Sequence, residues 1–240
     1  PKPRERILAL GTAIHFALEH LMRNLMKGSK QDLAYAIFLF TEELKRQVLS
    51  PEDFEHTLAE GTKLLTDYVE HYKDSWEVPV EVEYGFYGRH IQLTSPHVEP
   101  IPLTGKLDKL TWLDKDQFTV KVTDYKTSSP KSQNEIKGET KTSEGNIYRQ
   151  LVFYKLLAQL DDRFRPSPNA PKYQIEQVEV DFIKPNSRGL FKKEVFEISP
   201  ADVEELKAKI VDVMTHIRKL DFGGSSEYPL CNECEYCKML

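Results

Sequence analysis

In the stretch VTDYKTSSP, residues 122–130, Asp124 and Lys126 flank one tyrosine at the end of an alternating run. Residues two apart on a strand project to the same face, so this carboxylate and ammonium emerge together. A second acid, Asp108, stands in another alternating run, TGKLDKL, three residues after a glycine. On neighbouring antiparallel strands the two carboxylates converge on one hard cation, and Mg²⁺ or Mn²⁺ suits such oxygen ligands. The backbone carbonyl of Tyr125 lies between Asp124 and Lys126 and offers a further oxygen. A bound metal acidifies its water and polarises a phosphoryl group. Lys126 could then orient or deprotonate a water, or stabilise charge on a phosphate. The chemistry that assembles is phosphodiester hydrolysis.

Two further pairs extend the constellation. In GTAIH, Gly11 and His15 are four apart and share a helix face, and an imidazole ligand tilts the preference toward Mn²⁺. In QLVFY, Gln150 and Tyr154 are one helical turn apart. Each piece also has an ordinary reading. Gly11 suits close helix packing and His15 a buried hydrogen bond, while Asp108 is a plausible strand-end acid. Asp124 and Lys126 make an exposed ion pair of little worth, and Tyr154 packs on a core. Glu83, and less directly Glu81, stands on the run before Asp108 and adds a contact around the metal ligands.

The elements that must position these residues follow from periodicity. Ile7, Leu10, Ile14, Leu18, Leu21 and Leu25 recur at helical spacing and predict a helix over about 6–27. Further helices are expected over 31–48, with Asp32 near its start, and over 52–73, opened by SPED with a Ser cap and Pro in the first turn. The runs VPVEVEYGFYG, HIQLTS, PLTGKLDKLTWL and QFTVKVTDYKT read as consecutive strands of an antiparallel meander. Residues 127–145 carry few apolar side chains and read as a long loop, in which Lys131, Lys137 and Lys141 could contact or gate nucleic acid. NIYRQLVFYKLLAQL is an amphipathic helix, two strands flank NSRG, and a Ser-capped helix follows from 199. The order is α+β.

The 240 residues suffice for a substantial core, and 40% hydrophobic with 30% charged content reads as globular. The net charge of −5 hides an uneven distribution: residues 1–30 are +4 and residues 42–83 are −8. No apolar run approaches membrane-spanning length, so no membrane partner is expected, and Gly11 and His15 interrupt the start too early for a signal peptide. There is no phosphate loop of the G-x-x-x-x-G-K-[ST] type, so the chain is not itself a motor ATPase. Cys231, Cys234 and Cys237 are the only cysteines, spaced C-x-x-C-x-x-C, and one tight odd cluster fits a reducing, cytoplasmic compartment better than a disulfide framework.

The ordered set G-x-x-x-H, G-x-x-D, D-Y-K-T and Q-x-x-x-Y, spanning residues 11–154, resembles the RecB-like branch of the PD-(D/E)XK nuclease superfamily. D-x-K alone is a weak signal; four motifs in order on the expected elements are a strong one. The resemblance implies a restriction-endonuclease-like core, a mixed sheet flanked by helices, with an N-terminal helical part. It implies one domain over 1–240: a helical part to 75, catalytic sheet and helix over 76–198, then a C-terminal helix and Cys tail. By the same resemblance His15, Asp108, Asp124 and the Tyr125 carbonyl are metal ligands, Lys126 is the catalytic lysine, and Gln150 and Tyr154 position substrate or the lysine. The implied activity is Mg²⁺- or Mn²⁺-dependent cleavage of DNA, exonucleolytic before endonucleolytic. The implied setting is the nuclease module of a UvrD/Rep-type helicase or an AddAB/RecBCD-type recombination complex, with the helicase in the same or a partner chain.

Some members of this branch close on a [4Fe–4S] cluster in which one earlier cysteine joins three at the C-terminus. Here no cysteine precedes Cys231. An iron–sulfur cluster, a zinc site completed by a His or carboxylate, and three free thiols all remain open. Two other functions stand beside the nuclease. One is a catalytically silent DNA-binding or scaffolding domain on the same fold. The other is a metal-binding interaction protein built around the Cys tail, which leaves the central constellation unexplained.

Overall fold

The computed structural model describes residues 5–29, 32–88, 91–96 and 98–221. Three helices open the chain: α1 (Arg6–Met26), α2 (Leu33–Lys45) and α3 (Pro51–Tyr72). Asp32 caps α2 by accepting from the Tyr35 N–H, and Ser50 caps α3 by accepting from the Asp53 N–H. The strands β1 (Glu81–Phe86), β4 (Gly105–Asp114), β5 (Thr119–Lys126), β6 (Gln174–Phe182) and β7 (Lys192–Phe196) form the main sheet, in the order β1-β4-β5-β6-β7. The β5–β6 pair is parallel and the other pairs antiparallel. A parallel pair needs a crossover, supplied by α4 (Gln133–Lys137) and α5 (Asn146–Leu160). The helix α6 (Pro200–Lys219) follows β7, capped by Ser199 in a capping box with Asp202. The mixed, helix-flanked sheet agrees with a restriction-endonuclease-like core.

Apolar residues on one side of the sheet, including Val120, Val122, Val178 and Val180, pack with Leu151 and Leu157 of α5 and Leu206 of α6. On the other side α1–α3 pack on one another and reach the sheet through Val82, Tyr125 and Ile183. Gly61 of α3 packs tightly against α2, and an added Cβ there would overlap the fully buried Phe40 ring. A Gly61→Ala substitution is therefore expected to destabilise the protein by about 1–3 kcal/mol, read as a fall in the melting temperature.

Two expectations change. The second strand run does not continue the meander, since β1 pairs directly with β4, which is most of the third run and pairs antiparallel with β5 in turn. Gln92–Ser95 (β2) instead pairs with Val98–Pro102 (β3) as a separate two-stranded sheet. The run PLTGKLDKLTWL divides between β3 and β4 at Leu103 and Thr104, where the Leu103 N–H bonds Ile91 and the Thr104 hydroxyl bonds Phe86. Residues 127–145 are also not a featureless loop. Ser132 and Glu135 close a capping box on α4, whose Ile136 is fully buried in the core beneath α5. The single apolar residue at 136 was too weak a periodic signal to predict this turn.

Candidate metal and catalytic site

Register explains how the site forms. Lys109 pairs with Thr123 across β4 and β5, and one more step along that register sets Asp108 opposite Asp124. The backbone ladder between these strands ends at Lys109–Thr123, which leaves an opening where the two carboxylates lie. Asp108 occupies the opening: its Oδ2 accepts from the Tyr125 N–H at 2.8 Å. In a strand the N–H and C=O of one residue face the same edge. The Tyr125 carbonyl thus faces the β4 side, toward Asp108.

Asp124 and Lys126 face α5, and with Gln150 and Tyr154 they close a ring. Tyr154 Oη donates to Asp124 Oδ1 at 2.7 Å, and Gln150 Nε2 donates to Tyr154 Oη at 2.7 Å. Lys126 Nζ donates to Gln150 Oε1 at 2.7 Å and lies 2.8 Å from Asp124 Oδ2. The last contact is an ion pair without hydrogen-bond geometry, because Asp124 Oδ2 is buried with no hydrogen-bond partner. Burial pushes the Asp124 carboxyl up, against the pull of Lys126, and Asp108 adds to the rise. Burial and Asp124 hold the Tyr154 hydroxyl far above its usual range, so Tyr154 stays a donor. Tyr154→Phe is expected to keep the fold and lower activity about 10- to 100-fold, checked by melting temperature beside turnover.

His15 reaches the same opening from α1. Its Nδ1 lies 3.4 Å from Asp108 Oδ1, with the ring 31% exposed. Burial lowers its pKa, but hydrogen bonding and attraction to Asp108 outweigh that and leave it raised. Asp108 is correspondingly held down: burial raises it, while His15, the Tyr125 N–H and Lys126 prevail. Gly11, one turn before His15, lines the cleft mouth beside Thr127, and a Cβ there would make only an ordinary 3.6 Å contact. Its role is therefore not close helix packing. The cleft is about 520 Å³ and includes His15, Glu83, Lys106 and Thr127 among its walls.

Glu83 enters more deeply than the sequence indicated. Val82 pairs with Lys109 and Tyr84 with Leu107, so Glu83 stands opposite Asp108. It adopts a left-handed φ of 56°, a conformation that costs a non-glycine residue on the order of 1–3 kcal/mol and marks functional positions. His15, Glu83 and Asp108 offer ligand atoms within 4.8 Å of one another. Glu83 Oε2 is buried without a hydrogen-bond partner, though it forms an ion pair with Lys106. Burial pushes its carboxyl up, Lys106 opposes, and Asp108 raises it further. One imidazole and two carboxylates are a donor set that fits Mn²⁺ or Mg²⁺. The signal in the sequence was the EVE alternation, but choosing Glu83 over Glu81 required the β1–β4 register.

Asp124 does not belong to that three-residue group; its oxygens face Tyr154 and Lys126. The ring and the three-residue group meet at Asp108 and Tyr125. Of the loop lysines, Lys137 lies over the Tyr148 ring at 5.9 Å, and the Lys131 carbonyl accepts from Lys192. Cys231, Cys234 and Cys237 lie outside the described residues. Among the described residues no helix is long and apolar enough to cross a membrane.

No curated protein matches the chain. A family model described as the PD-(D/E)XK nuclease superfamily matches residues 1–239, nearly the whole sequence. A match of that extent, over a mixed sheet flanked by helices, places the chain in its family: it belongs to the PD-(D/E)XK nuclease superfamily.

Proposed function

We propose that this chain is a divalent-metal-dependent deoxyribonuclease. The observation that carries the reading is the closed ring Asp124–Lys126–Gln150–Tyr154 beside His15, Glu83 and Asp108. His15, Asp108, Asp124 and the Tyr125 carbonyl would hold the metal, joined by Glu83. Mg²⁺ or Mn²⁺ there supplies an acidified water and neutralises charge on the scissile phosphate. As an ammonium, Lys126 orients the attacking water and faces the developing phosphate charge; as the neutral amine it would take that water's proton. Gln150 fixes the ammonium, and Tyr154 holds Asp124 in register by its hydroxyl.

This reading treats residues 1–240 as one nuclease domain. It works as an exonuclease within a helicase-coupled repair or recombination machine. The resemblance to the RecB-like branch supports that setting, with the helicase in the same or a partner chain. The cysteine tail keeps its three alternatives, of which an iron–sulfur cluster needs a fourth ligand from elsewhere. The intact Asp108, Asp124 and Lys126 weigh against a silent scaffold. The test uses end-labelled single- and double-stranded DNA with Mn²⁺, Mg²⁺ or EDTA. Metal-dependent loss of label as mononucleotides supports exonucleolytic action, internal fragments indicate an endonuclease, and no cutting in any metal refutes the nuclease.

A further inference from the structure

On the sheet face opposite Asp124 and Lys126, where His15 packs edge-on to the Tyr125 ring at 6.3 Å, several buried polar groups surround the side chain of Tyr125. The ring of Tyr125 is 3% exposed, and its hydroxyl is buried without a hydrogen-bond partner among the described residues. Tyr68 of α3 packs edge-on to it, with centroids 6.4 Å apart, and donates to Asp181 Oδ2 at 2.6 Å. Asp181 of β6 is fully buried; Lys193 Nζ lies 2.8 Å from that same Oδ2, while Oδ1 is buried and unpartnered. Trp76, 6.2 Å from Tyr68, has a buried and unpartnered Nε1. Lys109 lays its ammonium over the Tyr125 ring, 5.5 Å from the centroid. Burial, with Lys193 nearby, pushes that ammonium down to about 8.

Buried polar atoms in folded proteins are almost always satisfied, and internal water is the usual partner when protein is not. The inventory here selects water over other small ligands. Trp76 Nε1 and the Lys109 ammonium only donate, Asp181 Oδ1 only accepts, and Tyr125 Oη does either. Water can receive from the donors and give to the carboxylate. A metal cation would face Lys109 and Lys193, and an anion would face Asp181 and Glu179, which is also buried. Any space enclosed by these groups would be too polar to stay dry.

We propose that this pocket is a built-in water site that ties Tyr125 to Asp181, making Asp181 a positioning residue for the Asp124–Tyr125–Lys126 strand end. Asp181 is the β6 residue in register with Tyr125, so the water link reinforces the ladder at that step. A shift of the Tyr125 ring moves its carbonyl on the cleft side and the two functional side chains next to it. The positioning role rests on the nuclease reading; the water site does not.

The test is a double-mutant cycle with Tyr125→Phe, Asp181→Asn and the pair, together with a high-resolution crystal structure of the wild type. The expected structure has ordered solvent within hydrogen-bond reach of Tyr125 Oη and Asp181 Oδ1. Each single variant is expected to lower kcat about 10- to 100-fold with KM for DNA unchanged. The double variant should be no worse than the poorer single, because one link is removed only once. Additive effects, or a pocket without solvent, overturn the water site, and unchanged kcat in both singles overturns the positioning role. If Asp181→Asn fails to fold, the isosteric Tyr125→Phe and the crystal structure still decide. Were the wild type inactive on DNA, the nuclease reading would fall, while coupled losses of melting temperature would still support the water link.

Discussion

A Lys126→Met protein is expected to cleave DNA about 10²–10⁴-fold more slowly than wild type, the range lost when a positioned proton-transfer group is removed. Methionine keeps much of the side-chain volume and removes the charge. Lys126 makes its contacts through one ammonium, to Gln150 Oε1 at 2.7 Å and Asp124 Oδ2 at 2.8 Å. Without it, the buried Asp124 loses the partner that opposes its desolvation. The Tyr154 bond to Asp124 Oδ1 remains, so the strand end stays attached to α5. The effect should therefore fall on the chemical step. Single-turnover cleavage at saturating DNA checks this: a loss in kcat supports the assigned role, whereas a rise in KM alone would make Lys126 only a DNA contact.

The second large effect concerns the metal. At a Mn²⁺ concentration about 100 times Kd, binding to the folded state adds about 2.7 kcal/mol of stability. For a chain of this size that corresponds to a rise in melting temperature of roughly 5–10 °C. Asp108→Asn is expected to abolish the rise. The variant should still fold, because an asparagine oxygen can accept from the Tyr125 N–H as Asp108 Oδ2 does. It also relieves the repulsion that helps keep the Glu83 carboxyl raised. Because His15, the Tyr125 N–H and Lys126 favour the charged Asp108, its melting temperature without metal should nonetheless be somewhat lower than that of wild type. Differential scanning calorimetry with and without Mn²⁺ measures both. A full metal shift in the variant would remove Asp108 from the ligand set.

Much of this site was legible because its parts are local. Strand parity sends Asp124 and Lys126 to one face, and one helical turn brings Gln150 and Tyr154 to the same ring. The helices over 6–27 and 52–73 followed from apolar periodicity and the Ser50 cap, and the structure places them at Arg6–Met26 and Pro51–Tyr72. What stayed hidden depends on pairing between distant segments. Glu83 faces Asp108 because β1 pairs with β4 across the β2–β3 hairpin, and no local pattern encodes that skip. The pocket behind Tyr125 was hidden for another reason. Lys109, Thr123, Glu179 and Asp181 alternate with apolar residues, a pattern that ordinarily marks a sheet face open to water. Here all four are buried, with Tyr68 of α3 bonded to Asp181.

Asp108, Asp124 and Lys126 are expected to cut DNA with a divalent metal. The most direct measurement follows end-labelled DNA with wild type, Asp124→Ala and Lys126→Ala in Mn²⁺ and in EDTA. The account predicts cutting by wild type in Mn²⁺, none in EDTA, and loss of cutting in both variants. Cutting that persists in EDTA, or in a folded Asp124→Ala protein, would contradict it.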